Sequence, residues 1–116
     1  MNDNWETLNS KQAYIELEKA KNNWADWQEK VIVLSEGLKA TLAKCFLKHK
    51  PFVKTATEAE NTARIDKEYQ EAVKSLAYAE GFLIKTRYAY NNLDRYISFK
   101  QTELKLDVAL TNKQQG

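Results

Sequence analysis

Glycine and proline are scarce in this chain, at three and one in 116 residues, so the backbone has few places to turn sharply. That excludes a fold of many short strands and tight turns and predicts few, long elements. Cys45 is the only cysteine, which excludes an intrachain disulfide and any cluster of cysteine metal ligands. His49 is the only histidine, so no histidine pair can bind zinc and no Cys/His dyad has a supporting partner. No glycine-rich phosphate loop is present. The longest aliphatic run, Val31 to Leu34, falls far short of the roughly 20 residues that cross a bilayer. The opening residues lack the basic start and apolar core of a secretory leader, so no membrane association and a cytoplasmic location are expected.

What the chain does have is apolar surface and charge in the proportions of a folded domain, 43% and 29%, including three Trp, six Tyr and four Phe. Its length fits one domain. The net charge of +2 is unevenly spread. Residues 39–54 carry Lys39, Lys44, Lys48, Lys50 and Lys54 with no acid, 55–80 carry six acids against three bases, and 81–116 carry six bases against three acids. Such blocks steer association without specifying a fold.

Two seven-residue patterns dominate. Leu17, Trp24, Val31, Leu38 and Cys45 recur with Ala13, Ala20, Trp27, Leu34 and Thr41 between them, which lays one stripe along a helix from about residue 10 to 48. Gly37 interrupts the propensity of this helix but not its phase. Tyr69, Leu76, Leu83, Tyr90, Ile97 and Leu104 recur with Ala72, Ala79, Thr86 and Leu93 between them, predicting a second helix from 67 to about 110 and a polar, frayed tail at 111–116. Pro51 stops the first helix and biases Lys50 away from helical angles, leaving a basic loop at about 49–56. Thr57 with Glu60 forms a capping box that opens a short helix at 57–65, and Thr55 with Glu58 offers the same arrangement slightly earlier. Asp66 is a further cap. The expectation is an all-α fold, a long antiparallel helical hairpin of coiled-coil type with about four fifths of the chain helical. Its apolar stripes exceed what one hairpin covers, which predicts a homo-oligomer.

Nothing points to catalysis. Charged pairs at helical spacing, such as Glu16 with Lys19 and Glu68 with Glu71, sit on faces that offer no pocket to push carboxyl pKa values apart. Cys45 falls on the apolar stripe, where a free cysteine acts as a small hydrophobe. No catalytic residue, metal ligand, cofactor or small-molecule substrate is expected.

The face of the second helix opposite its seam carries Ile84, Lys85, Tyr88, Asn92, Arg95, Tyr96 and Phe99, with Lys100 beside them. Rings alternating with cations suit single-stranded nucleic acid, where rings stack on bases and cations follow phosphates. They equally suit a protein interface rich in Tyr and Arg. A third reading packs Tyr88, Tyr96 and Phe99 beneath the N-terminal segment with Trp5 and Leu8. Lys48, Lys50 and Lys54 at the bend extend a basic track or form the wet tip of the hairpin.

Residues 37–105 resemble small helical proteins of tailed phages encoded beside single-strand annealing recombinases and single-strand binding proteins. The likeness lies in the Lys-rich stretch Lys44 to Lys54, the segment Thr57-Glu58-Ala59-Glu60-Asn61-Thr62-Ala63, then Asp66 and Tyr69. A long last helix follows, bearing Ala72, Ala79, Lys85, Tyr90 and Ile97-Ser98-Phe99-Lys100-Gln101. The chain departs from that group in lacking an Arg before Glu in the capped segment and a Trp-Arg-Ser near the end. The resemblance implies a non-enzymatic accessory protein of phage DNA recombination or replication in the host cytoplasm. Such a protein would bind single-stranded DNA or a recombination protein through a helical face. The alternative is a protein-interaction module such as a small phage inhibitor of a host enzyme.

Overall fold

The structure is a computed structural model and describes residues 9–115, with side chains through residue 113. The chain is all-α: α1 spans Ser10–His49, α2 spans Ala56–Ile65 and α3 spans Lys67–Gln115, with no strand among the described residues. α1 and α3 contain 40 and 49 residues. A 3-10 turn at Lys50–Phe52 links α1 to α2, with Pro51 in its first positions, where a missing N–H costs nothing.

The ends of these helices follow from side-chain chemistry. Asn9 accepts from the backbone N–H of Gln12 at 2.8 Å while Gln12 reaches back to the N–H of Asn9 at 3.4 Å, a reciprocal box that opens α1. α2 starts one turn-half earlier than the Thr57–Glu60 pair predicts. Thr55, extended at φ −127° and ψ 157°, accepts from Glu58 N–H at 3.1 Å, and Glu58 accepts from Lys54 N–H at 3.2 Å. The earlier box wins because the extended segment after the turn places Thr55, not Thr57, at the point where helical angles begin. Asp66 alone separates α2 from α3. α1 runs through Gly37 unbroken, and Thr41 folds its hydroxyl back to donate to Gly37 C=O at 2.9 Å. α3 stays helical through Gln115, beyond the expected end at about 110, so the segment predicted as a frayed tail is helix as far as it is described.

Contacts divide the chain into two compact units to which α1 and α3 both contribute, one combining Met1–Trp24 with Thr86–Gly116 and the other being Ala25–Lys85. Within each, α1 and α3 run antiparallel. In the first, Trp24 lies 5.4 Å from Tyr90 between ring centroids, and Gln101 Nε2 donates to the Tyr14 hydroxyl at 2.5 Å. Thr86, Leu93 and Ile97 are buried here. In the second, Trp27 stacks on Phe82, Lys44 pairs with Glu68, and Cys45, Ala59, Ala63 and Ala79 are buried. Ala59 and Ala63 are both 0% exposed and four residues apart, so α2 presents a smooth stripe that admits close approach.

The seam residues read from the sequence are buried or half-buried, with one exception: Leu104 is 59% exposed. Every described side chain of α3 beyond Phe99 is exposed. The period identifies a face, but it does not tell where the partner helix stops. Ser10, the first residue of α1, already lies level with Leu104 and Asp107, with which it lines a groove of about 350 Å³.

Candidate aromatic and basic surfaces

The residues that the sequence groups together divide between the two units. Lys85, Lys48, Lys50 and Lys54 belong to Ala25–Lys85, whereas Tyr88, Arg95, Phe99 and Lys100 belong to the other.

In Ala25–Lys85, three rings meet on the flank of the α1–α3 seam. Trp27 and Phe82 stack at 4.6 Å with 12° between their planes, and Tyr78 meets Phe82 edge-on at 4.8 Å and 62°. Both geometries suit ring quadrupoles. Lys30 stands 4.1 Å over the Trp27 ring and Lys85 5.3 Å over Phe82, while Lys74 lines a groove of about 380 Å³ with Trp27, Leu34 and Tyr78. Tyr78 is 68% exposed and presents an open ring. None of these three lysines pairs with a carboxylate among the described residues. Asp26 and Glu29 border the neighbouring groove along α1, so the surface is basic without being purely cationic. Of the residues expected on a binding face only Lys85 lies here, and Trp27 falls on the seam that the period predicts for α1. The missing information is the register between the two helices, which sets Trp27 against Phe82.

The turn lysines are placed differently. Lys48 is tied to Asp66 at 3.1 Å, Lys50 leans toward the Phe46 ring at 5.9 Å, and Lys54 is exposed with no ion pair among the described residues. Lys48 therefore belongs to a polar knot. Asp66 also accepts from His49 Nε2 at 2.7 Å and from Glu68 N–H at 2.8 Å, which caps α3. Its carboxylate can only accept, so Nε2 of His49 carries the proton. The hydrogen bond from His49, then that from Glu68 N–H and then that from Lys48 hold the Asp66 carboxyl well below the usual carboxylate range.

Cys45, Asp66 and Glu68 bring their ligand atoms within 4.8 Å of one another. Both carboxylates are already engaged, Asp66 as above and Glu68 by Lys44 at 2.7 Å. Burial, helped by the nearby carboxylates, pushes the Cys45 thiol up and disfavours the thiolate a metal would need. The set reads as a structural knot.

In the other unit, Tyr88 and Phe99 are 59% and 64% exposed, so the described residues do not bury this face as internal packing requires. Tyr96 is half-buried; Trp5 and Leu8, the expected cover, lie outside the described residues. Arg95 is exposed and makes no ion pair among the described residues. Lys100 stands 5.6 Å from the Tyr96 ring and pairs with Glu103 at 3.4 Å, whose charge raises its pKa. No described helix is long and apolar enough to cross a membrane. No protein-family model matches this chain, and neither the curated proteins nor the solved structures contain a match to it.

Proposed function

We propose that this chain is a non-enzymatic binding protein that takes single-stranded nucleic acid on the Trp27–Tyr78–Phe82 surface, as an accessory to phage DNA recombination or replication. One observation carries the reading: Lys30, Lys74 and Lys85 surround three clustered rings, and none of the three forms an ion pair among the described residues. The open ring of Tyr78 offers a base a stacking surface, and the lysines offer contacts to the phosphates on either side. Trp27 and Phe82 stack on each other and so hold the platform rigid. The phage setting rests on the resemblance of residues 37–105.

The test is titration of a labelled oligothymidylate, followed by anisotropy across a range of salt. Lys74→Ala or Lys85→Ala weakens binding and removes about 0.7 from the salt slope per lost phosphate contact. Tyr78→Ala costs roughly 1–3 kcal/mol for a lost stacked base and leaves the slope unchanged. Absence of wild-type binding at low salt sinks this reading.

A second reading, a protein-interaction module, draws on Ile32 and Val33, which are 60% and 63% exposed on α1, and on the adjoining groove lined by Val33 and Leu34. A partner retained after nuclease treatment, and lost on Val33→Asp, favours that reading.

A further inference from the structure

The unit that combines Met1–Trp24 with Thr86–Gly116 carries a feature the nucleic-acid reading does not use. Along α3, Tyr88, Asn92, Arg95, Phe99, Thr102 and Leu106 follow one another in steps of four and three and are all exposed. This is the spacing of a helix–helix seam, and it lies on the side away from the seam that α1 covers through Tyr90, Leu93 and Ile97. α3 therefore has two seams in this unit and, among the described residues, one partner helix.

The order of residues along the second seam shows what fits it. Laid antiparallel against a copy of itself, the stripe sets Tyr88 against the partner's Leu106, Asn92 against the partner's Thr102 and Arg95 against the partner's Phe99. A twofold axis then repeats each pair. Ring meets aliphatic side chain, amide meets hydroxyl, and guanidinium meets an aromatic face. The Thr102 hydroxyl already donates to Ser98 C=O at 3.1 Å, so its free lone pair is available to accept from an amide. Arg95 has no carboxylate to surrender among the described residues. Parallel pairing in register would instead oppose Arg95 to Arg95, which repels. A surface complementary to itself under a twofold rotation is the mark of an isologous dimer. We infer that this face of α3, from Tyr88 to Leu106, is the dimer interface and that its occupant is the same face of a second copy, antiparallel.

Sedimentation of the full chain across the micromolar range tests this with a charge exchange. Wild type sediments as a dimer. Tyr88→Lys or Leu106→Glu alone sets a charge against an apolar side chain at two symmetric places. Each raises the dimer dissociation constant on the order of a hundredfold, the loss expected when an interface anchor fails. The double variant recovers the dimer, because antiparallel pairing sets each new lysine against a new glutamate. Recovery also excludes misfolding as the cause of dissociation in the single variants. A wild-type monomer throughout, single variants that stay dimeric, or a double variant that stays monomeric each overturns the proposal. Oligothymidylate binding by Leu106→Glu is unaffected, because Leu106 lies outside the platform's unit and far along the chain from Lys85, whereas Tyr88→Lys adds a cation one turn from it; the two proposals therefore fail separately in Leu106→Glu.

Discussion

Leu93 and Leu104 lie in the same stripe of α3, yet truncating them should have very different costs. Leu93 is 6% exposed and Leu104 is 59% exposed. Leu93→Ala removes buried methyl groups and leaves a cavity that the neighbouring side chains fill only in part, at a cost of about 2–5 kcal/mol. Leu104→Ala removes a side chain that is less than half buried. Full burial of a leucine is worth about 1.5–3 kcal/mol, so the transfer loss is roughly 1 kcal/mol. Water fills the space, and alanine's slightly better helix propensity offsets a few tenths of that. Urea denaturation followed by far-ultraviolet circular dichroism measures both losses, with equal m-values required for the comparison. Two compact units need not unfold together, so Trp24 fluorescence should be followed as well, in a background where Trp5 and Trp27 are replaced by Phe, because Trp24 packs on Tyr90 in the unit that holds both leucines. Equal costs for the two variants would refute the argument, since they would mean that Leu104 is as well covered as Leu93.

Two further outcomes test the turn region. The Asp66 carboxyl is held well below its unfolded value of about 3.9, so its contribution is complete above that value and is lost progressively as pH falls from there through the lower native value. Asp66→Asn should therefore lower the melting temperature at neutral pH, with the gap from wild type closing below about pH 4; a gap that stays constant into acid would exclude an ionised Asp66 as its source. Thr55→Ala should cost about 1 kcal/mol as a lost N-cap, whereas Thr57→Ala should stay within about 0.5 kcal/mol. The reverse order in denaturant midpoints would return the cap to Thr57.

The helices were legible because both long stripes keep a strict period, and period is a local property of sequence. Position by position, Leu17 through Cys45 and Tyr69 through Ile97 fall on covered or partly covered faces. Leu104 escaped because cover depends on where another helix begins, which the period does not encode. The choice between Thr55 and Thr57 turned on extended backbone angles set by the preceding turn. The Asn9–Gln12 box has a sequence signal of its own, an Asn followed three residues later by Gln, which lies just ahead of the apolar pattern. The Asp66 knot and the Trp27–Phe82 stack join residues from different helices. Their formation requires the register between α1 and α3, and a seam of repeating heptads leaves that register open to one-heptad shifts. Only complementary pairs such as Lys44 with Glu68 distinguish one register from the next.

The two connections of this chain also differ as places to splice in foreign sequence. Between α1 and α2, Phe52 is 84% exposed and Val53 and Thr55 are both extended, so a tag inserted after Phe52 would leave the Thr55 cap and both neighbouring helices untouched. Between α2 and α3 there is one residue, Asp66, and it caps the helix that follows while receiving two cationic or polar groups from the helix that ends at His49. An insertion there would detach the start of α3 and the end of α1 in a single step. A fluorescent protein or affinity peptide fused internally should therefore go into the first connection, and a library of random insertions should recover many folded members there and almost none at the second.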